Sequence, residues 1–175
     1  NYENYYNFIF SNNDNYWINH EWLSDFLLFQ GYSNFGYITV SIVFALVILL
    51  SIYLLNSFLI KNIITEKKFL LYLMPLELIG LIASLPHFGI RIQEISVLFV
   101  LLLFIILYNF EQNISNNKKF YWKNLVLLIP LIYLWSNLHA GFLLGISLLF
   151  FYFGIKVVEK IILKYQNFSV FKFFK

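Results

Sequence analysis

The chain has no cysteine, one methionine, three prolines and seven glycines, and only 12% of its 175 residues are charged. Without cysteine there is no disulfide, no thiolate metal site and no thiol nucleophile. The glycines form no phosphate-cradling loop, and no Gly-x-Ser-x-Gly elbow offers a serine nucleophile. Soluble domains carry about 25% charged residues, so a chain with half of that has little to present to water. Arginine occurs once, at Arg91. A secretory signal pattern is also missing: the chain opens on Asn and on the polar stretch Asn1 to Asp14.

What remains is apolar. Hydrophobic residues make up 61% of the chain and mean hydropathy is +0.73. The apolar residues fall in five runs: Tyr37 to Ile60, Phe69 to Pro86, Ile95 to Phe110, Asn124 to Trp135 and Phe142 to Val158. About 20 residues of helix cross a bilayer core, so the first run is long enough and Ile95 to Phe110 must borrow a turn from the loop before it. In lipid the backbone must satisfy its own hydrogen bonds, and these runs are too long for barrel strands. The expected fold is all-α: a polytopic transmembrane bundle of about five spanning helices plus one juxtamembrane amphipathic helix.

Charge orients the bundle. Eleven lysines cluster at Lys61/Lys67/Lys68, at Lys118/Lys119/Lys123 and from Lys156 to Lys175. The alternate loops hold His20, His87 and His139, Arg91, and the carboxylates Glu21, Asp25 and Glu94. Lysine-rich loops stay on the cytoplasmic side, which places the chemistry-bearing residues on the other face. The net charge of +3 suits anionic headgroups, so the bilayer is the expected partner and nucleic acid is not. Residues 1–36 are expected as an extracytoplasmic loop with the surface helix, 37–158 as the bundle and 159–175 as a truncated cytoplasmic tail. A polar outer segment needs something to carry it across, so an upstream membrane helix is expected and the chain reads as a fragment of an inner-membrane, multi-pass protein.

Asn19 can cap the surface helix, with His20 and Glu21 in its first turn. Trp22, Leu23, Phe26 and Leu27 would share one face, Glu21 and Asp25 another. Gly31 and Gly36 bracket the turn that follows. Two carboxylates four residues apart can hold a divalent metal or take a proton from a hydroxyl; they also suit a merely solvated face. His20-Glu21 is not a zinc-protease signature, because Ser24 stands where the second His is required. Arg91 is the natural fork for a phosphate, or pairs with Glu94 three residues on. Asn137 and His139 sit at the break between two apolar helices, where His can donate to an anion, bind metal or cap a turn. Glu77 lies inside a spanning run, as a proton-path residue or as a protonated partner of a neighbouring helix. Two Asn-x-Ser triplets, at Asn113 and Asn167, fall on the cytoplasmic side and carry no meaning there.

Three stretches carry a family resemblance: Trp17-Ile18-Asn19-His20-Glu21-Trp22-Leu23-Ser24, Arg91-Ile92-Gln93-Glu94-Ile95-Ser96, and Trp135-Ser136-Asn137-Leu138-His139-Ala140-Gly141 continuing to Gly145. Together they resemble bacterial relatives of the dolichyl-phosphate-mannose–protein mannosyltransferases, in the GT-C class of polyprenol-dependent glycosyltransferases. Ile92 stands where those relatives have proline, and Ser136 and Ala140 also depart from their pattern. The resemblance implies that Glu21 acts as base or metal-associated residue, with Asp25 in support. It implies that Arg91 and His139 face the phosphate of a polyprenyl-phosphate sugar, with His20, Gln93 and Asn137 also binding substrate. His20 stands where the class places a second acidic residue, so metal dependence is left open. Sugar transfer on the extracytoplasmic face is therefore the expected function. The alternatives are a membrane transporter, an outer-face polymer ligase, which would need a large outer loop, and a non-catalytic scaffold.

Overall fold

A computed structural model of the chain describes residues 21–62, 64, 70–85, 88–116 and 122–173. Asn19, His20 and His87 lie outside them. Among the described residues every regular element is a helix: α1 (Trp22–Asn62), α2 (Leu70–Ser84), α3 (Gln93–Ser115), α4 (Lys123–Val126), α5 (Leu128–Leu138) and α6 (Phe142–Phe173).

The first helix has two arms. Gly36 sits at φ 76°, ψ 174°, a backbone region that only glycine adopts without strain. The consequence is visible between Gly31 and Val40, where a Cβ built on Gly31 comes within 3.2 Å of the Val40 side chain. Nine residues of straight helix would separate them by about 13.5 Å. The arm from Trp22 to Phe35 therefore folds back against the start of the long arm. The expected turn narrows to Gly36, and Gly31 stays helical. Trp22, Phe26, Leu27 and Phe29 are exposed on the short arm, while Ser24 is buried. An outward aromatic surface suits a helix lying in the headgroup zone.

The long arm of α1 buries Val40, Phe44, Ser51 and Phe58, offsets of four and seven that keep one face toward a neighbour. That neighbour is α3, which packs against α1, α4, α5 and α6 and forms the centre of the bundle. Phe58 meets Phe104 and Tyr108 edge-on at 5.7 and 4.8 Å. On its other side α3 lays Phe99, Leu103 and Leu107 against Leu128, Leu131 and Trp135 of α5. Phe99 stacks on Trp135 at 5.6 Å. In lipid such contacts hold helices together by packing, since the apolar surroundings offer no hydrophobic drive.

Two helix boundaries follow from chemistry. Pro130 has no N–H for the Val126 carbonyl and its ring crowds that group, so α4 stops at Val126 and α5 restarts at Leu128. At the lysine-rich end, Glu111 to Ser115 were expected in a loop but extend α3. Glu111 is held there by the Tyr152 hydroxyl and by Lys156, 2.9 Å away, both on α6.

Trp22–Asn62, Gln93–Ile114 and Phe142–Ile162 are long and apolar enough to cross a membrane, and Leu71–Ser84 and Lys123–Leu138 are shorter apolar helices. The chain is thus an all-α transmembrane bundle. The α2 helix stands apart from the other backbones and is tied to α1 by Asn56, whose Nδ2 donates to Glu77 Oε2 at 3.2 Å.

Candidate functional site

The start of α1, the start of α3 and the turn between α5 and α6 meet at one end of the bundle. His139 ends α5 in extended conformation, and its N–H donates to the Trp135 carbonyl. The chain turns at once into α6, leaving the amides of Ala140 and Gly141 outside the helical ladder. Glu21 takes the first: its Oε1 accepts from Ala140 N–H at 3.1 Å, across 119 residues of sequence. The same oxygen lies 3.7 Å from His139 Nε2, wider than a hydrogen bond but close enough for electrostatic attraction. A carboxylate at the N-terminal end of a long helix is stabilised there by the helix dipole.

Three further bonds brace the site. Trp22 Nε1–H donates to Asn137 Oδ1 at 2.8 Å, tying the start of α1 to the end of α5. Asn137 Nδ2 donates back to the Tyr133 carbonyl at 2.7 Å, so both ends of this amide are engaged. Ser24 Oγ donates to the Glu21 carbonyl at 2.8 Å, which fixes the turn that aims the carboxylate. The Glu21 side chain is 35% exposed and that of His139 16%: the carboxylate can be reached from solvent or headgroups, while the ring is held inside.

Behind His139 lies a polar path that its own motif does not announce. Its Nδ1 is 2.9 Å from Ser96 Oγ on α3 and 2.9 Å from the Gly141 amide. Ser96 Oγ in turn accepts from Trp135 Nε1–H at 2.9 Å, and Trp135 is fully buried. Ser96 and Trp135 are the members of this path that sequence reasoning passes over. Each belongs to one of the three motif stretches, yet nothing in spacing shows that they meet.

The remaining candidates divide. Asp25 is exposed on the short arm of α1, one turn beyond Glu21. Arg91 and Gln93 are exposed at the start of α3, and among the described residues neither side chain forms a hydrogen bond or ion pair. The alternative pairing of Arg91 with Glu94 is not formed. Glu94 Oε1 instead accepts from the Gly89 amide at 2.9 Å, a local bond that closes the loop before α3. Among the described residues no three His, Asp or Glu side chains converge as a metal site.

The site can therefore present a carboxylate and an imidazole together at a helix N-terminus, with one arginine near the same boundary. Compared with protein-family models, with curated proteins and with solved structures, the chain matches none.

Proposed function

We propose that this chain belongs to an integral-membrane glycosyltransferase that moves a sugar from a polyprenyl-phosphate donor to an acceptor on the extracytoplasmic face of the inner membrane. One observation supports the reading above the others: Glu21 and His139, from motifs far apart in sequence, lie 3.7 Å apart beside the exposed Arg91 end of α3. An anionic lipid headgroup and a hydroxyl acceptor are the substrates such a boundary suits.

In the proposed reaction Glu21 takes the proton of the acceptor hydroxyl as its oxygen attacks the anomeric carbon. The bond from that carbon to the phosphate oxygen breaks on the opposite face, so configuration inverts and polyprenyl phosphate leaves. Arg91, a planar donor fork, pairs with the phosphate, and His139 donates to an oxygen at the same place. The membrane anchors the polyprenyl chain, which converts a search in three dimensions into one along a surface.

The test uses membranes carrying the chain or its Glu21→Gln variant, supplied with radiolabelled polyprenyl-phosphate mannose and, in parallel, glucose. Loss of a positioned general base lowers the rate by about 10²–10⁴-fold, so label should stay with the lipid in the variant at equal expression. Transfer retained by Glu21→Gln removes Glu21 from the mechanism. A transporter is the second reading, favoured by Glu77, whose Oε1 is buried without a partner between α1 and α2. An activity that survives Glu21→Gln but fails in Glu77→Gln would belong to it.

A further inference from the structure

Resting on the sugar-transfer reading for its functional meaning, we infer that Ser96 and Trp135 are positioning residues that make His139 a hydrogen-bond donor through Nε2, leaving proton abstraction to Glu21 alone. The direction of the path follows from groups that have no choice. A backbone amide and an indole N–H can only donate. Gly141 N–H donates to His139 Nδ1 at 2.9 Å, so Nδ1 carries a lone pair and the hydrogen of the neutral ring sits on Nε2. Trp135 Nε1–H donates to Ser96 Oγ, which leaves the Ser96 hydroxyl hydrogen to point at Nδ1, again at 2.9 Å.

The space around this path is built for it. A Cβ on Gly141 would come within 2.6 Å of both His139 Nδ1 and Ser96 Oγ, and one on Gly145 within 2.4 Å of the Trp135 ring. Any side chain at Gly141 would push the imidazole off its two donors. Trp135 is held in turn by its stack on Phe99. The donors thus run from the buried indole to the boundary and end at Nε2–H, facing the Glu21 carboxylate. A ring fixed this way has no lone pair at Nε2 with which to take a proton. It gives a hydrogen to an oxyanion, either Glu21 or a phosphate oxygen of the donor lipid.

The experiment is nitrogen-15 histidine labelling of the whole chain in lipid nanodiscs, with His139 identified by the signals lost in His139→Asn. The expected parent spectrum has a hydrogen on Nε2 and none on Nδ1. Ser96→Ala should shift the Nδ1 resonance, and Ser96→Thr, which keeps the hydroxyl, should restore it. Trp135→Phe keeps an aromatic ring against Phe99 and should shift the same resonance without touching His139. Transfer should fall up to about tenfold in Ser96→Ala and Trp135→Phe, the scale of one hydrogen bond, and recover in Ser96→Thr. A hydrogen on Nδ1 in the parent, or an Nδ1 resonance indifferent to Ser96→Ala or to Trp135→Phe, overturns the inference. The expected spectra with no sugar transfer in any variant would uphold the positioning and remove the glycosyltransferase reading.

Discussion

Gly36→Ala tests the turn on which the site depends. The glycine sits at φ 76°, ψ 174°, and nothing lies within 4 Å of where its Cβ would go. Steric clash is therefore absent, and the whole cost is backbone strain, about 1–3 kcal/mol. That corresponds to roughly a fivefold to 150-fold change in the unfolding equilibrium. Gly80→Ala is the matched control. It too has open space around the new methyl, but it lies inside α2, where alanine is favoured over glycine by about 0.5–1 kcal/mol. The two substitutions add the same atom and should move stability in opposite directions. Reversible unfolding in mixed detergent micelles, followed by tryptophan fluorescence, reads both. A strained Gly36 position relaxes by opening the fold-back, which draws Glu21 away from Ala140 and His139, so transfer should fall in Gly36→Ala and hold in Gly80→Ala. A Gly36→Ala chain as stable as the parent would mean that the two arms of α1 are not folded at this residue.

Two further outcomes are expected. Asn56→Leu removes the donor to Glu77 Oε2 and should destabilise by about 1–3 kcal/mol, whereas Asn56→Leu with Glu77→Leu should return close to the parent, because removing both partners leaves nothing unsatisfied; micelle unfolding of the three chains decides it, and a double variant as weak as the single one refutes the argument. Because the chain has no cysteine, Asp25→Cys, Arg91→Cys and Lys123→Cys, all at exposed positions, report sidedness directly. A membrane-impermeant maleimide on intact cells should label the first two at once and the third only after lysis, and the reverse pattern would remove the extracytoplasmic reading.

The bundle was legible because lipid simplifies the code: apolar runs of sufficient length have one backbone solution, and the lysine distribution indicates which ends belong together. The break at Leu127 was not read, since Asn124 to Trp135 stands as one apolar run, although Pro130 acts on the carbonyl four residues earlier. The extension of α3 through Ser115 was not read either, because Glu111 becomes helical by pairing with Tyr152 and Lys156, partners that only the tertiary fold brings within reach. The same limit governs the site. Glu21, Asn137 and His139 could be singled out by type and placement, and Glu21 and His139 do meet. That Asn137 is engaged by Trp22, that Glu94 turns to Gly89 instead of Arg91, and that Ser96 connects Trp135 to His139 are matters of angle and depth. Spacing along a helix carries no information about them.

The contact between Glu21 and Ala140 spans 119 residues, and this has a consequence in time. Chains emerge at about 5–20 residues per second, so the short arm of α1 is made on the order of 6–24 s before the turn that receives its carboxylate. Through that interval Glu21 lacks the Ala140 amide that receives its carboxylate, while the long arm of α1 and helices α2 to α5 are made. The contact therefore forms only once the α5–α6 turn has been made, with α6 still to follow. A chain interrupted before His139 would hold Glu21 without the imidazole and the Ala140 amide that face its carboxylate.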